Sequence, residues 1–184
     1  EFMNYKHKGL LCIILINFLI SGTIFQLSAQ NQLFIITFFA YSDYSPLYSI
    51  ITYSLIHNDG GHLVGNMLFL GIYGFFLEPI IGTKKFVTLY AIASVLTVLL
   101  FKQFVDLSVP CIGASGAVCA ILGATFYINI PKPFFLILAA FTALEIVKSL
   151  MGIMDGVAHL AHVIGIIFGF FFMSFFYGKR ISAV

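Results

Sequence analysis

The sequence predicts an all-α membrane protein, a single domain over residues 1–184 in which six transmembrane helices form a bundle and the fourth is short and recessed. Three observations predict it. The 184 residues are 61% hydrophobic and 9% charged, whereas soluble domains carry about 25% charged residues; a water-soluble body of this size could not bury so much apolar surface. Six apolar segments recur along the chain, five of them near the roughly 20 residues that cross a bilayer core of about 30 Å. Basic and acidic residues alternate between the junctions of those segments.

The first segment, residues 9–28, follows Lys6 and Lys8. Its apolar run outlasts a signal-peptide core, and Leu27-Ser28-Ala29 is a poor cleavage site, so it reads as a retained span. Glu1-Phe2 before Met3 reads as a cloning scar. Residues 29–60 form a long connection that is still apolar and aromatic, with Leu33-Phe34-Ile35-Ile36, Tyr41, Tyr44, Tyr48 and Tyr53. Such a loop is expected in the membrane interface, where tyrosine buries its ring and wets its hydroxyl, as an anchor or as one wall of an active site. Residues 61–82 and 86–105 are the second and third spans. The fourth starts near Ser115 and stops before Pro131; residues 133–153 and 157–178 are the fifth and sixth. All must be helical, because lipid offers the backbone no hydrogen-bond partner.

Charge orients the bundle. Lys6 and Lys8, Lys84 and Lys85, Lys132, and Lys179 with Arg180 fall at alternate junctions, which the positive-inside rule makes cytoplasmic. Asp43, Asp59, Asp106 and Asp155 then fall outside, and both termini are cytoplasmic. The net charge of +2 is too small to suggest nucleic acid. Cys12, Cys111 and Cys119 match no metal spacing.

Three clusters carry candidate chemistry. Gly113-Ala114-Ser115-Gly116-Ala117 opens the fourth span. From Ser115 to Ile130 is about 24 Å at 1.5 Å per residue, less than the core thickness, so with its inner end fixed by Pro131 and Lys132 the span sets Ser115 below the outer surface. A hydroxyl at a recessed helix N-terminus is a candidate nucleophile, and free N–H groups there favour an oxyanion. His162 lies seven residues past Asp155 in Ala161-His162-Val163-Ile164-Gly165, with Gly169 a turn on. An ionisable residue inside a span is a functional candidate by default, and Gly165 and Gly169 have the spacing of a close helix contact. His62 and Asn66 share one face of the second span at i and i+4 and offer two donors to a developing oxyanion. Helix packing and interhelical hydrogen bonding would also account for each cluster alone.

Taken together, HxxxN on the second span, GxSGA opening the fourth and AHxxGxxxG on the sixth resemble the rhomboid family of intramembrane serine proteases, in its minimal six-helix bacterial form. The resemblance covers residues 9–178. It implies an intramembrane serine endopeptidase with Ser115 as nucleophile and His162 as general base, and with the Ser115 N–H, Asn66 and His62 holding the oxyanion. It implies a dyad without a carboxylate and no cofactor. Its partners would be single-span transmembrane substrates, cut within the bilayer of a bacterial inner membrane after entering past the fifth helix, 133–153, and the loop 152–156.

Two departures stand out. Many bacterial members stack a tyrosine on the catalytic histidine one turn after the serine; here that position is Cys119. The Trp-Arg pair common in the first external loop is missing, as the chain has no Trp. His159, one turn before His162, is expected to hydrogen-bond near the cavity mouth, and His57 to be structural. Glu145 and Lys148, i and i+3 on the fifth span, are expected to pair with each other; Glu78 reads as structural. A metal enzyme using His57, His62, His159 and His162 is a weaker reading, as are a non-catalytic relative that binds membrane helices and a channel.

Overall fold

The computed structural model describes residues 7–107, 110–153 and 156–177. Its regular structure is eight α-helices: α1 Lys8–Phe25, α2 Ala29–Phe39, α3 Ser49–Thr52, α4 Gly60–Ile81, α5 Thr83–Phe101, α6 Ser115–Thr125, α7 Lys132–Leu150 and α8 His159–Tyr177. Five of them, α1, α4, α5, α7 and α8, are long and apolar enough to cross a membrane, and α6 is a shorter apolar helix. The chain is an integral, multi-pass membrane protein. The expectations placed on Glu1, Phe2, Lys6, Asp155, Lys179 and Arg180 lie outside the described residues.

The apolar run that predicted a fourth span to Ile130 overshoots the helix. The chain leaves α6 after Thr125 through turns to Ile128, before Pro131, which disfavours helical geometry in the residue preceding it. What remains is buried: every residue from Gly116 to Thr125 falls in the interior. α6 packs against α8, α5 and α4.

The approach of α8 to α6 depends on missing side chains. A Cβ on Gly165 would strike the Gly116 carbonyl oxygen, one on Gly169 the Ala120 carbonyl oxygen, and one on Gly123 the Ile166 carbonyl oxygen. Small residues let membrane helices meet backbone to backbone, and here they bring the start of α8 beside the start of α6.

Glu78, fully buried in α4, accepts the Gly9 and Leu10 N–H groups at 2.8 Å each and the Thr83 hydroxyl at 2.7 Å. It satisfies orphan donors at the N-terminus of α1 where the dipole favours an anion. Lys85, in the first turn of α5, reaches Tyr177 Oη at the end of α8, 3.3 Å away. Lys8, Glu78, Lys85 and Tyr177 thus gather at one end of the bundle. Asp43 and Lys102 pair at 3.7 Å elsewhere.

The long connection is structured. It contains α2, α3 and a 3₁₀ turn at Tyr53–Leu55. Tyr41 and Cys111 exchange backbone hydrogen bonds at 3.0 and 2.8 Å, Gly113 N–H donates to the Tyr53 carbonyl at 2.9 Å, and the Tyr53 hydroxyl donates to the Ser94 carbonyl of α5 at 2.6 Å. The loop is therefore stitched to the segment that leads into α6. Burial pushes the Tyr53 phenol well above its usual range, which keeps it a neutral donor.

Candidate active site

Ser115 is the first residue of α6, half-buried, preceded by Ala114 in helical geometry and by Gly113 at φ +108°. That φ suits glycine, and the space is taken as well: a Cβ on Gly113 would lie 2.6 Å from Cε1 of the His62 ring and 2.8 Å from Nε2. Glycine here lets the His62 imidazole lie against the backbone two residues before Ser115.

A cavity of about 890 Å³ opens over this turn. Ser115, His62, Asn66, His162 and His159 all line it. The five come from α4, α6 and α8, so the three sequence clusters meet at one place. Asn66 is buried, and its Nδ2 finds no hydrogen-bond partner among the described residues. An unpaired buried amide donor costs free energy, and this one lines the cavity that Ser115 opens onto. The loop of residues 29–60 contributes Tyr53, Asn58 and Asp59 to the lining, which makes it a wall of the cavity. Asp59 also caps α4, its Oδ1 accepting the His62 N–H at 2.8 Å.

His57 supports the turn from behind. Its Nε2 accepts the Ala114 N–H at 3.4 Å, and its Nδ1 lies 3.0 Å from the Ser21 hydroxyl, which lies 3.2 Å from the Leu55 carbonyl. Since Nε2 accepts, Nδ1 carries the proton and donates to Ser21. Burial, with a smaller contribution from neighbouring His62, lowers the His57 pKa from 6.5 to about 4. The expected structural role takes this form: a neutral imidazole joins α1 to the residue before Ser115.

The expected Glu145–Lys148 pairing is corrected. Glu145 points into the bundle, and its Oε2 lies 2.8 Å from Nδ1 of His159 and 2.8 Å from Nδ1 of His162. The carboxylate turns away from solvent because two imidazole donors await it. Sequence reasoning also gave His162 no carboxylate neighbour; this one comes from α7. His159 is buried with it and lines the cavity. The three side chains each offer a ligand atom within 4.8 Å of one another, a donor set of the kind zinc accepts, and as they stand the hydrogen bonds within the cluster satisfy it. The weaker metal reading grouped these histidines with His57 and His62, whereas His57 is engaged with Ser21 and Ala114.

Cys119, one turn after Ser115, is buried and free, and lines the cavity. The His162 ring instead meets Phe141 of α7, centroids 6.3 Å apart and planes 33° from parallel.

Comparison with known proteins decides the family. The family model described as the rhomboid domain matches residues 44–179. The chain belongs to the rhomboid family. It is also 29% identical over 136 residues to "Rhomboid protease GlpG" of Haemophilus influenzae, an overlap of 68% of this chain and 70% of that protein. As a rhomboid, the chain is an intramembrane serine protease. The matched region contains α4 to α8 and with them every residue of the cavity named above.

Proposed function

We propose that Ser115 is the nucleophile and His162 the general base of this rhomboid protease, and that its substrates are transmembrane segments of single-span membrane proteins. The observation that carries this reading is the shared cavity, with a hydroxyl at the head of a buried helix and an imidazole at the head of its tightest neighbour. His162 uses Nδ1 toward Glu145, which leaves Nε2 for the Ser115 proton.

The chemistry is acyl transfer. His162 Nε2 takes the proton from Ser115 Oγ as Oγ bonds to the scissile carbonyl carbon. The carbonyl oxygen becomes an oxyanion, received by Asn66 Nδ2, His62 and the Ser115 N–H; the orphaned Asn66 donor supports its part. The C–N bond then breaks, with the proton passing from His162 to the leaving amine. A water then gives its proton to His162 and adds to the acyl carbon; the C–Oγ bond breaks as His162 returns the proton to Ser115 Oγ.

In the membrane, α1, α4, α5, α6, α7 and α8 are six spans, with α6 the short fourth, recessed below the surface on the side of the cavity. Both termini face the cytoplasm, by the basic residues at that end, in a bacterial inner membrane. The substrate enters past α7.

The test is proteolysis of a reconstituted transmembrane substrate together with fluorophosphonate labelling. Ser115→Ala should lose both cleavage and label while keeping its unfolding temperature. Turnover by that variant, or label mapped to another residue, would overturn the assignment.

A further inference from the structure

We propose that Glu145 is a positioning residue for His162 and that α7 must be docked for the base to be correctly held. This deepens the Ser115–His162 reading and rests on it. A carboxylate is an acceptor, and one oxygen has lone pairs for two donors. Oε2 therefore receives Nδ1–H from both His159 and His162 at 2.8 Å. The bond writes the tautomer of His162: proton on Nδ1, lone pair on Nε2. It also places a negative charge beside the ring that becomes imidazolium when the Ser115 proton arrives, the role an aspartate plays in the serine-protease triad.

Burial makes this arrangement expensive to keep without a purpose in orientation. Glu145 is 5% exposed, His159 3% and His162 8%. A carboxylate taken out of water needs partners of good geometry, and polar groups inside spans carry a standing cost. Leu138 and Glu145 are the buried residues of α7. The helix thus turns its carboxylate inward while its hydrophobic side chains stay largely outside.

A second contact comes from the same face. Phe141, four residues before Glu145, lies beside the His162 ring. Cys119, at the position where many bacterial rhomboids stack a tyrosine on this histidine, offers no ring. α7 holds the imidazole from its edge through Glu145 and from its side through Phe141. An outward displacement of α7 would remove both, so the position of α7 and the readiness of the base are linked.

The test uses the whole protein in detergent or bilayer. In the unaltered protein, ring ¹⁵N spectra, with the His162 signals assigned by their loss in His162→Ala, should show Nδ1 protonated and Nε2 bare. Glu145→Gln keeps the side chain's shape and removes the charge. It should lower kcat by about 10²-fold or more, leave KM within about threefold, and mix the His162 tautomers. A spectrum with Nε2 protonated in the unaltered protein would overturn the proposal even were Glu145→Gln to misfold. So would a Glu145→Gln enzyme of unchanged kcat whose Ser115 is still labelled in a His162-dependent way, and that result would leave the dyad standing. Failure of Ser115 to label in the unaltered protein would bring down the dyad and this proposal together.

Discussion

α6 and α7 are neighbours in sequence and opposites in construction. α6 is 11 residues long and buried from Gly116 to Thr125. α7 is 19 residues long, and only 11% of its spanning window is buried, against 44% for α4 and α5. α6 meets α8 through backbone, with glycines where a methyl would collide. α7 meets α8 through long side chains, chiefly the Glu145 carboxylate and the Phe141 ring. Backbone contact leaves no adjustable distance, so α6 and α8 define a fixed frame. Side-chain contact is adjustable and reversible, which suits the helix past which a substrate is proposed to enter. A rigid element holds the proposed nucleophile, Ser115, and a loosely packed one contacts the proposed base, His162.

That contrast breaks or sharpens under substitution. The largest effect is expected opposite that frame, where α4 presents Asn66 to the cavity. Asn66→Ala should slow cleavage by about 10²–10³-fold, or about 2.7–4 kcal/mol, as for one oxyanion donor elsewhere, with the thermal midpoint unchanged; an unchanged rate would remove Asn66 from the oxyanion site. Next comes the frame itself. Gly169→Val drives a side chain into the Ala120 carbonyl and should cost about 3 kcal/mol, the upper part of the overpacking range, read as a fall in unfolding temperature; accommodation without loss would mean that the α6–α8 contact yields.

A third effect tests the support behind Ser115. His57 has a folded pKa of about 4 against 6.5 unfolded, so the unfolded chain binds more protons between those values. Stability is therefore full above the unfolded value and falls as pH drops toward the folded one. Between neutral pH and about pH 5 the loss should be about 2 kcal/mol. Thermal midpoints of the unaltered protein and of His57→Gln, which cannot titrate, should diverge over that window; parallel curves would show that His57 is not the group responsible. The smallest effect belongs to α7. Leu144→Ala, on an exposed position, should change stability by no more than about 0.5 kcal/mol, and a loss like that of Gly169→Val would erase the contrast.

Much of this was legible in the sequence, for identifiable reasons. Apolar run length marked the spanning helices to within a few residues, because lipid forces each run to be helical. The AHxxGxxxG spacing announced a close contact, and Gly165 and Gly169 are where α8 touches α6. His62, Asn66, Ser115 and His162 meet because each sits near the same end of its helix. What was illegible depends on helix rotation. Glu145 and Lys148 share a face on paper, but which face α7 turns inward is set by partners 14 and 17 residues downstream. A helix apolar all round carries no stripe to announce it. His57 sat in a segment without periodicity, so neither its bond to Ala114 nor its bond to Ser21 could be read from spacing.

Glu78 has a bearing on how this protein is dissected. The region matching the family model begins at residue 44, which invites trimming away α1 as an accessory. Yet the Glu78 carboxylate, well inside that region, draws two of its three donors from the first turn of α1, and Ser21 further along the same helix is the partner of His57. A fragment cut at the boundary would carry a carboxyl group stranded in its interior and leave the turn before Ser115 missing one brace. The smallest autonomous unit is accordingly larger than the stretch relatives hold in common.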